Sequence, residues 1–142
     1  MKIVLDTNLY IAAALHDGLA KNILEFVFEN SSVTLITSKE ILEELSNKLS
    51  NKFKWSEERI SFYLDAINTM SEIVQPSIKL TVVKRDAKDN KILECAIAGN
   101  AALIVTLDQD LLKLKTFRGI GIVHPKTLSW TFPEYFKNPE EN

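Results

Sequence analysis

The stretch Ile3-Val4-Leu5 constrains the fold most, being wholly apolar with two β-branched members. Such a run reads as a strand covered on both faces, the usual state of a parallel strand in an α/β sheet. It stops abruptly at Asp6, Thr7 and Asn8, and residues 9–15, rich in Ala and Leu, read as helix. Strand-to-helix junctions of such sheets are where ligands collect. Asp6 is therefore either a plain helix cap or part of a site, and the other acids of the chain decide between them.

The remaining segments keep the same alternation. Strands are expected at Lys2–Leu5, 33–37, 80–83, 102–106 and Ile120–Val123. Helices are expected at 19–28, 38–53, 56–73, 89–98 and 111–114, with Ile41, Leu42, Leu45 and Leu49 forming one inward stripe. Ser56 is placed as an N-cap and Gly99 as a C-cap. Strands alternating with helices predict a three-layer α/β/α sandwich around a mainly parallel sheet of four or five strands, with the first strand in its interior. No repeat, linker or low-complexity stretch divides the 142 residues, so one domain, 1–142, is expected.

Composition narrows the function classes. Seventeen basic residues against nineteen acidic ones rule out a strongly basic polyanion binder, though not a local basic patch. Cys95 has no second cysteine to pair with and only His16 and His124 as soft-metal company, which argues against a disulfide framework and a zinc site. Neither a membrane span nor the basic-then-apolar layout of a signal peptide is visible, so a cytoplasmic protein is expected.

In a parallel sheet the β-to-α connections share one edge, above the carboxyl ends of the strands. The first strand delivers Asp6 and Asn8 there, and the second leads into Glu40, Glu43 and Glu44. The segment KRDAKDN brings Asp86 and Asp89, and TLDQD brings Asp108 and Asp110. Any one aspartate suits an N-cap, but Thr7, Ser38 and Thr106 stand nearby and would cap without charge. Two carboxylates about 5 Å apart repel by roughly 0.8 kcal/mol in water and about 3 kcal/mol at an effective dielectric constant of 20. A group of them either binds protons or holds a cation. Oxygen ligands without His or Cys select Mg²⁺ or Mn²⁺, and such sites carry metal-assisted phosphodiester hydrolysis.

Four stretches, IVLDTNLYIAA, SKEILEELSNKL, RDAKDNKILECAIAGNAALIVTLDQDLLKL and GIGIVHPKTL, resemble in this order the PIN-domain nucleases. The likeness is to the small prokaryotic VapC-like members, the toxins of toxin–antitoxin pairs. It implies a metal-dependent ribonuclease acting on RNA, with Asp6, Glu44, Asp89 and Asp108 as catalytic acids and metal ligands. Asp110 is implied as an auxiliary acid, Asp86 as a further ligand, and Asn8 and Thr106 as polar support. An antitoxin and a second copy of the chain are the partners it implies.

Spacing alone leaves two choices open. Glu43 and Glu44 flank opposite sides of the apolar stripe, and Asp86 competes with Asp89. Glu40, three residues after Thr37, has the spacing of a capping box. Lys84, Arg85, Lys88 and Lys91 flank the acids where RNA phosphates would be met, and Lys48, Lys52 and Lys54 lie near the end of the second-strand helix. Two other readings stand beside the nuclease. One is a nucleic-acid-binding PIN module without activity, against which the complete acid set argues. The other is a phosphatase of the haloacid dehalogenase type, which requires an Asp where this chain has Asn8.

Overall fold

The computed structural model describes residues 1–83 and 87–136. Strands β1 (Lys2–Leu5), β2 (Thr34–Ser38), β3 (Ser71–Val74), β4 (Leu103–Val105), β5 (Thr116–Phe117) and β6 (Ile120–Val123) form one sheet in the order β3-β2-β1-β4-β6-β5. The five longer strands run parallel, and only the two-residue β5 pairs antiparallel to its neighbour. Helices α1 (Thr7–Leu15), α2 (Leu19–Glu29), α3 (Lys39–Asn51), α4 (Glu57–Met70), α5 (Ala87–Ala98), α6 (Gln109–Leu112) and α7 (Pro125–Thr131) flank it, giving the expected α/β/α sandwich. β1 lies between β2 and β4, and Ile3 and Val4 are fully buried, as an apolar run covered on both faces must be.

Local chemistry sets the element ends. Ser38 caps α3 by accepting from the Ile41 N–H at 3.4 Å, and Ser56 caps α4 by accepting from Arg59 at 3.2 Å. The cap of α3 is thus one residue later than the Thr37 spacing suggested, which removes the capping-box role from Glu40. Helix α5 ends in a Schellman motif, with Asn100 N–H bonding Ile97 O and Ala101 N–H bonding Ala96 O. Its left-handed residue is Asn100 (φ 52°) rather than Gly99. Gly99 is needed for a different reason: a Cβ there would stand 2.5 Å from Ile36 Cγ2, so the helix end and β2 could not approach as they do.

The third strand is not where the apolar run LTVV points. It is Ser71–Val74, formed by residues expected to end the preceding helix, and no strand forms at 80–83. As the edge strand it is half covered, with Ile73 exposed, so it lacks the apolar signature of β1. Residues 80–83 instead lie along α5, held by side chains. Asn90 accepts from the Val83 N–H at 2.8 Å and donates to the Val83 carbonyl at 2.7 Å, while Glu94 accepts from the Leu80 N–H at 2.8 Å. Of the late aromatics, Phe132, Tyr135 and Phe136 close around Phe26 of α2.

Candidate metal centre and its surroundings

The site begins where β1 ends. Leu5 pairs with Val105, so the next residues, Asp6 and Thr106, leave adjacent strands side by side. Asp6 occupies the N-cap position of α1 but its side chain caps nothing. Its Oδ2 accepts a 2.6 Å hydrogen bond from the Thr106 hydroxyl, whose oxygen in turn accepts from the Asp108 N–H at 2.9 Å. Asp108 does cap: its Oδ1 accepts from Leu111 N–H at 3.0 Å, opening α6. The plain cap reading thus holds for Asp108 and fails for Asp6.

Asp6 is only 6 % exposed. Burial pushes its carboxyl above the ordinary range, the bonds from Thr106 and the Thr7 backbone pull it back, and the charges of Asp108 and Glu44 raise it again. The fold therefore holds a carboxyl in surroundings that resist its negative charge. Such surroundings favour a neighbouring cation.

Oxygens of Asp89, Asp108 and Asp110 all lie within 4.8 Å of one another. Asp89 is buried in the first turn of α5, and the other two are half-buried at the end of β4 and the start of α6. Asp6 stands beside this group, close enough to feel the charge of Asp108, and it feels the charge of Glu44 as well. Ligand oxygens about 2.1 Å from Mg²⁺ stand about 3.0 Å apart when adjacent and about 4.2 Å when opposite, so the three oxygens would draw inward to hold an ion. The donor set is all oxygen, which fits a hard divalent ion and not zinc. Asp86, Lys84 and Arg85 lie outside the described residues.

Helix α3 separates Glu43 and Glu44 sharply. Glu43 is exposed, 3.8 Å from Lys39. Glu44 turns toward the acids, where its Oε2 accepts from the Thr7 hydroxyl at 3.3 Å and its Oε1 lies 3.2 Å from Lys48 Nζ. Lys48 also donates to Asn8 Oδ1 at 3.2 Å. Glu40 is exposed. Beside Glu44, between α3 and α5, runs a groove of about 300 Å³ lined by Asn47, Lys48, Asn51, Lys52, Lys88 and Lys91 among others. Sequence reasoning missed two links in this region: Thr7 as the partner of Glu44, and Asn90 as the clamp on Val83. Neither leaves a periodic or motif signal, because both act through tertiary contacts.

Both the sequence and the fold have known counterparts. The PIN domain family model matches residues 2–110. The chain belongs to the PIN domain family, whose members are nucleases. Its fold is similar to a chain of the VapBC2 complex from Rickettsia felis, solved bound to a DNA fragment from its promoter, with TM-score 0.61, 25% identity, and coverage of 87% of this chain and 98% of that one. PAE2754 from Pyrobaculum aerophilum has the same fold at TM-score 0.58 and 16% identity, covering 94% and 99% of the two chains. No curated protein matches the sequence. Among the described residues no helix is long and apolar enough to cross a membrane.

Proposed function

We propose that this chain is a divalent-metal-dependent endoribonuclease and the toxin of a toxin–antitoxin pair, working in the cytoplasm. The observation that carries the nuclease reading is the group Asp89, Asp108 and Asp110 beside the buried Asp6, at the carboxyl edge of a PIN-domain sheet. The toxin reading rests on the likeness to a chain of a VapBC complex, and the choice of RNA on the family resemblance of the sequence. An antitoxin and a second copy of the chain are its proposed partners.

Asp89, Asp108 and Asp110 would hold Mg²⁺ or Mn²⁺, with Asp6 and Glu44 completing the acidic wall. When bound, the ion supplies positive charge that lowers the pKa of the attacking water and stabilises the leaving oxygen. Thr106 fixes the orientation of Asp6 and ties it to the Asp108 backbone. Thr7 holds Glu44, and Asn8 stands at the rim with Lys48. Lys88 and Lys91, with Lys84 and Arg85, would meet substrate phosphates. In the reaction the water oxygen bonds to phosphorus as the bond to the leaving sugar oxygen breaks, and the proton lost by water is matched by one gained by that oxygen.

The test is cleavage of labelled single-stranded RNA by wild type and Asp6→Asn, with Mn²⁺ and with chelator. Cleavage should require the metal, and Asp6→Asn should lose about a hundredfold or more in rate while staying folded. Metal-independent cleavage, or full activity in Asp6→Asn, refutes the mechanism. Tight RNA binding without cleavage by the wild type would instead establish a binding module.

A further inference from the structure

Lys48 and Glu44 are four residues apart on α3, a spacing that usually makes an ordinary surface ion pair. The other two such pairs among the described residues, Lys21–Asp17 and Lys39–Glu43, are of that kind, with largely exposed partners. The Lys48 pair differs in two respects. Its side chains are only 29% and 12% exposed, and the ammonium has a second partner, Asn8, from the junction that follows β1. A lysine held between a rim carboxylate and a rim amide from another element is fixed in place rather than sweeping through solvent. An ammonium has three donors. One is engaged by Asn8, Glu44 stands beside the ammonium as an ion pair at 3.2 Å, and the side chain also forms part of the wall of the groove between α3 and α5. The groove thus carries Lys48 and Glu44 on the same wall, and its lining holds Glu40 and Glu43 as well as Lys52, Lys88 and Lys91.

We infer that Lys48 is a catalytic residue: an ammonium donor not used by Asn8 binds a non-bridging oxygen of the scissile phosphate and stabilises the negative charge that builds there. The inference rests on the nuclease reading above and deepens it. As water's oxygen bonds to phosphorus and the bond to the leaving sugar oxygen breaks, Lys48 keeps its proton and contributes only a hydrogen bond and a charge. A fixed donor of this type gains strength as the charge grows, so its contribution appears in kcat more than in KM. The competing explanation is that Lys48 merely props Glu44. The two differ in what they predict for metal binding, because a propping lysine supports the acidic wall whereas a phosphate-binding lysine only adds positive charge near it.

The experiment compares wild type, Lys48→Met and Lys48→Arg for RNA cleavage kinetics in Mn²⁺ and for Mn²⁺ binding by calorimetry, with melting curves alongside. Lys48→Met should lose about a hundredfold in kcat with KM within about threefold, and should bind Mn²⁺ as tightly as wild type or more tightly. Lys48→Arg, which keeps charge and donors, should recover most of the loss. A kcat loss under tenfold in Lys48→Met overturns the inference, and so does weakened Mn²⁺ binding, which marks a prop. If Lys48→Met fails to fold, Lys48→Gln replaces it and is held to the same outcomes. A wild type that does not cut RNA in Mn²⁺ sinks the nuclease reading and this inference together, whereas an active wild type with equally active variants sinks this inference alone.

Discussion

Replacing Asp108 by Asn should make the metal-free protein more stable and the metal-loaded protein less so. Asn is as good an N-cap as Asp, so the bond to the Leu111 N–H that opens α6 survives. What disappears is one charge from a group whose oxygens lie within 4.8 Å of one another. At that separation each carboxylate pair repels by about 0.9 kcal/mol at water's dielectric constant and about 3.5 kcal/mol at an effective value of 20. Asp108 takes part in two such pairs, and even at full water screening, the lower limit for a half-buried group, the relief is about 2 kcal/mol. For a chain of this length that raises Tm by about 6 °C. Metal reverses the order, because a ligand at a hundred times its Kd stabilises wild type by about 2.7 kcal/mol and a variant with a weakened ligand set by less. The assay is a pair of calorimetric melts for each protein, in chelator and in Mn²⁺. A variant that melts at or below the wild-type temperature in chelator would refute the idea that these carboxylates repel one another. One that gains as much from Mn²⁺ as wild type would remove Asp108 from the ligand set.

Asp6 makes stability depend on pH in a direction that can be checked. Its folded pKa is raised above the ordinary 3.8, so the stability it contributes is full below that value and is lost as pH rises through the folded pKa. In chelator, subtracting the profile of Asp6→Asn from that of wild type should leave a difference that turns against wild type as pH rises across that window, measured by denaturant unfolding. Asn90→Ala should cost about 2–4 kcal/mol in denaturant unfolding, since it strips the partners from both backbone groups of Val83. Hydrogen exchange at the Val83 amide should speed up in step, and a variant that keeps wild-type protection there would show that the clamp does not hold the segment.

The parts of the fold visible in the sequence are those whose burial is uniform. Ile3-Val4-Leu5 and Leu103-Ile104-Val105 are central strands, and their apolar runs say so. β3 is hidden because an edge strand needs only one covered face, and Ser71-Glu72-Ile73-Val74 continues the pattern of the helix before it. LTVV misleads in the opposite way. Its backbone groups find partners in the side chains of Asn90 and Glu94, a solution that composition cannot announce. The β5–β6 turn escapes notice because it uses Arg118 and Gly119, with φ of 50° and 83°, where Asn-Gly would have been the familiar signal. At the site, the positions of Asp6, Asp108 and Asp110 were legible because each follows a strand end closely, whereas Asp89 stands in α5, well past the end of β3. The choice between Glu43 and Glu44 was not legible, since the helix alone treats them alike and Thr7, thirty-seven residues away, separates them.

The pairing of Leu5 with Val105 has a consequence for how this chain tolerates change. Neighbouring strands in a sheet stand about 4.8 Å apart, and their ladder fixes where each chain leaves the edge. Asp6 and Thr106 meet because both are the first residues beyond one rung of that ladder. Swapping a side chain at the rim alters the chemistry and leaves the pitch untouched. Adding or removing one residue within β1 or β4 would turn the rim residue to the opposite face and bring core residues out with it. The rim can therefore change its side chains without changing the fold, whereas its two central strands must keep their length.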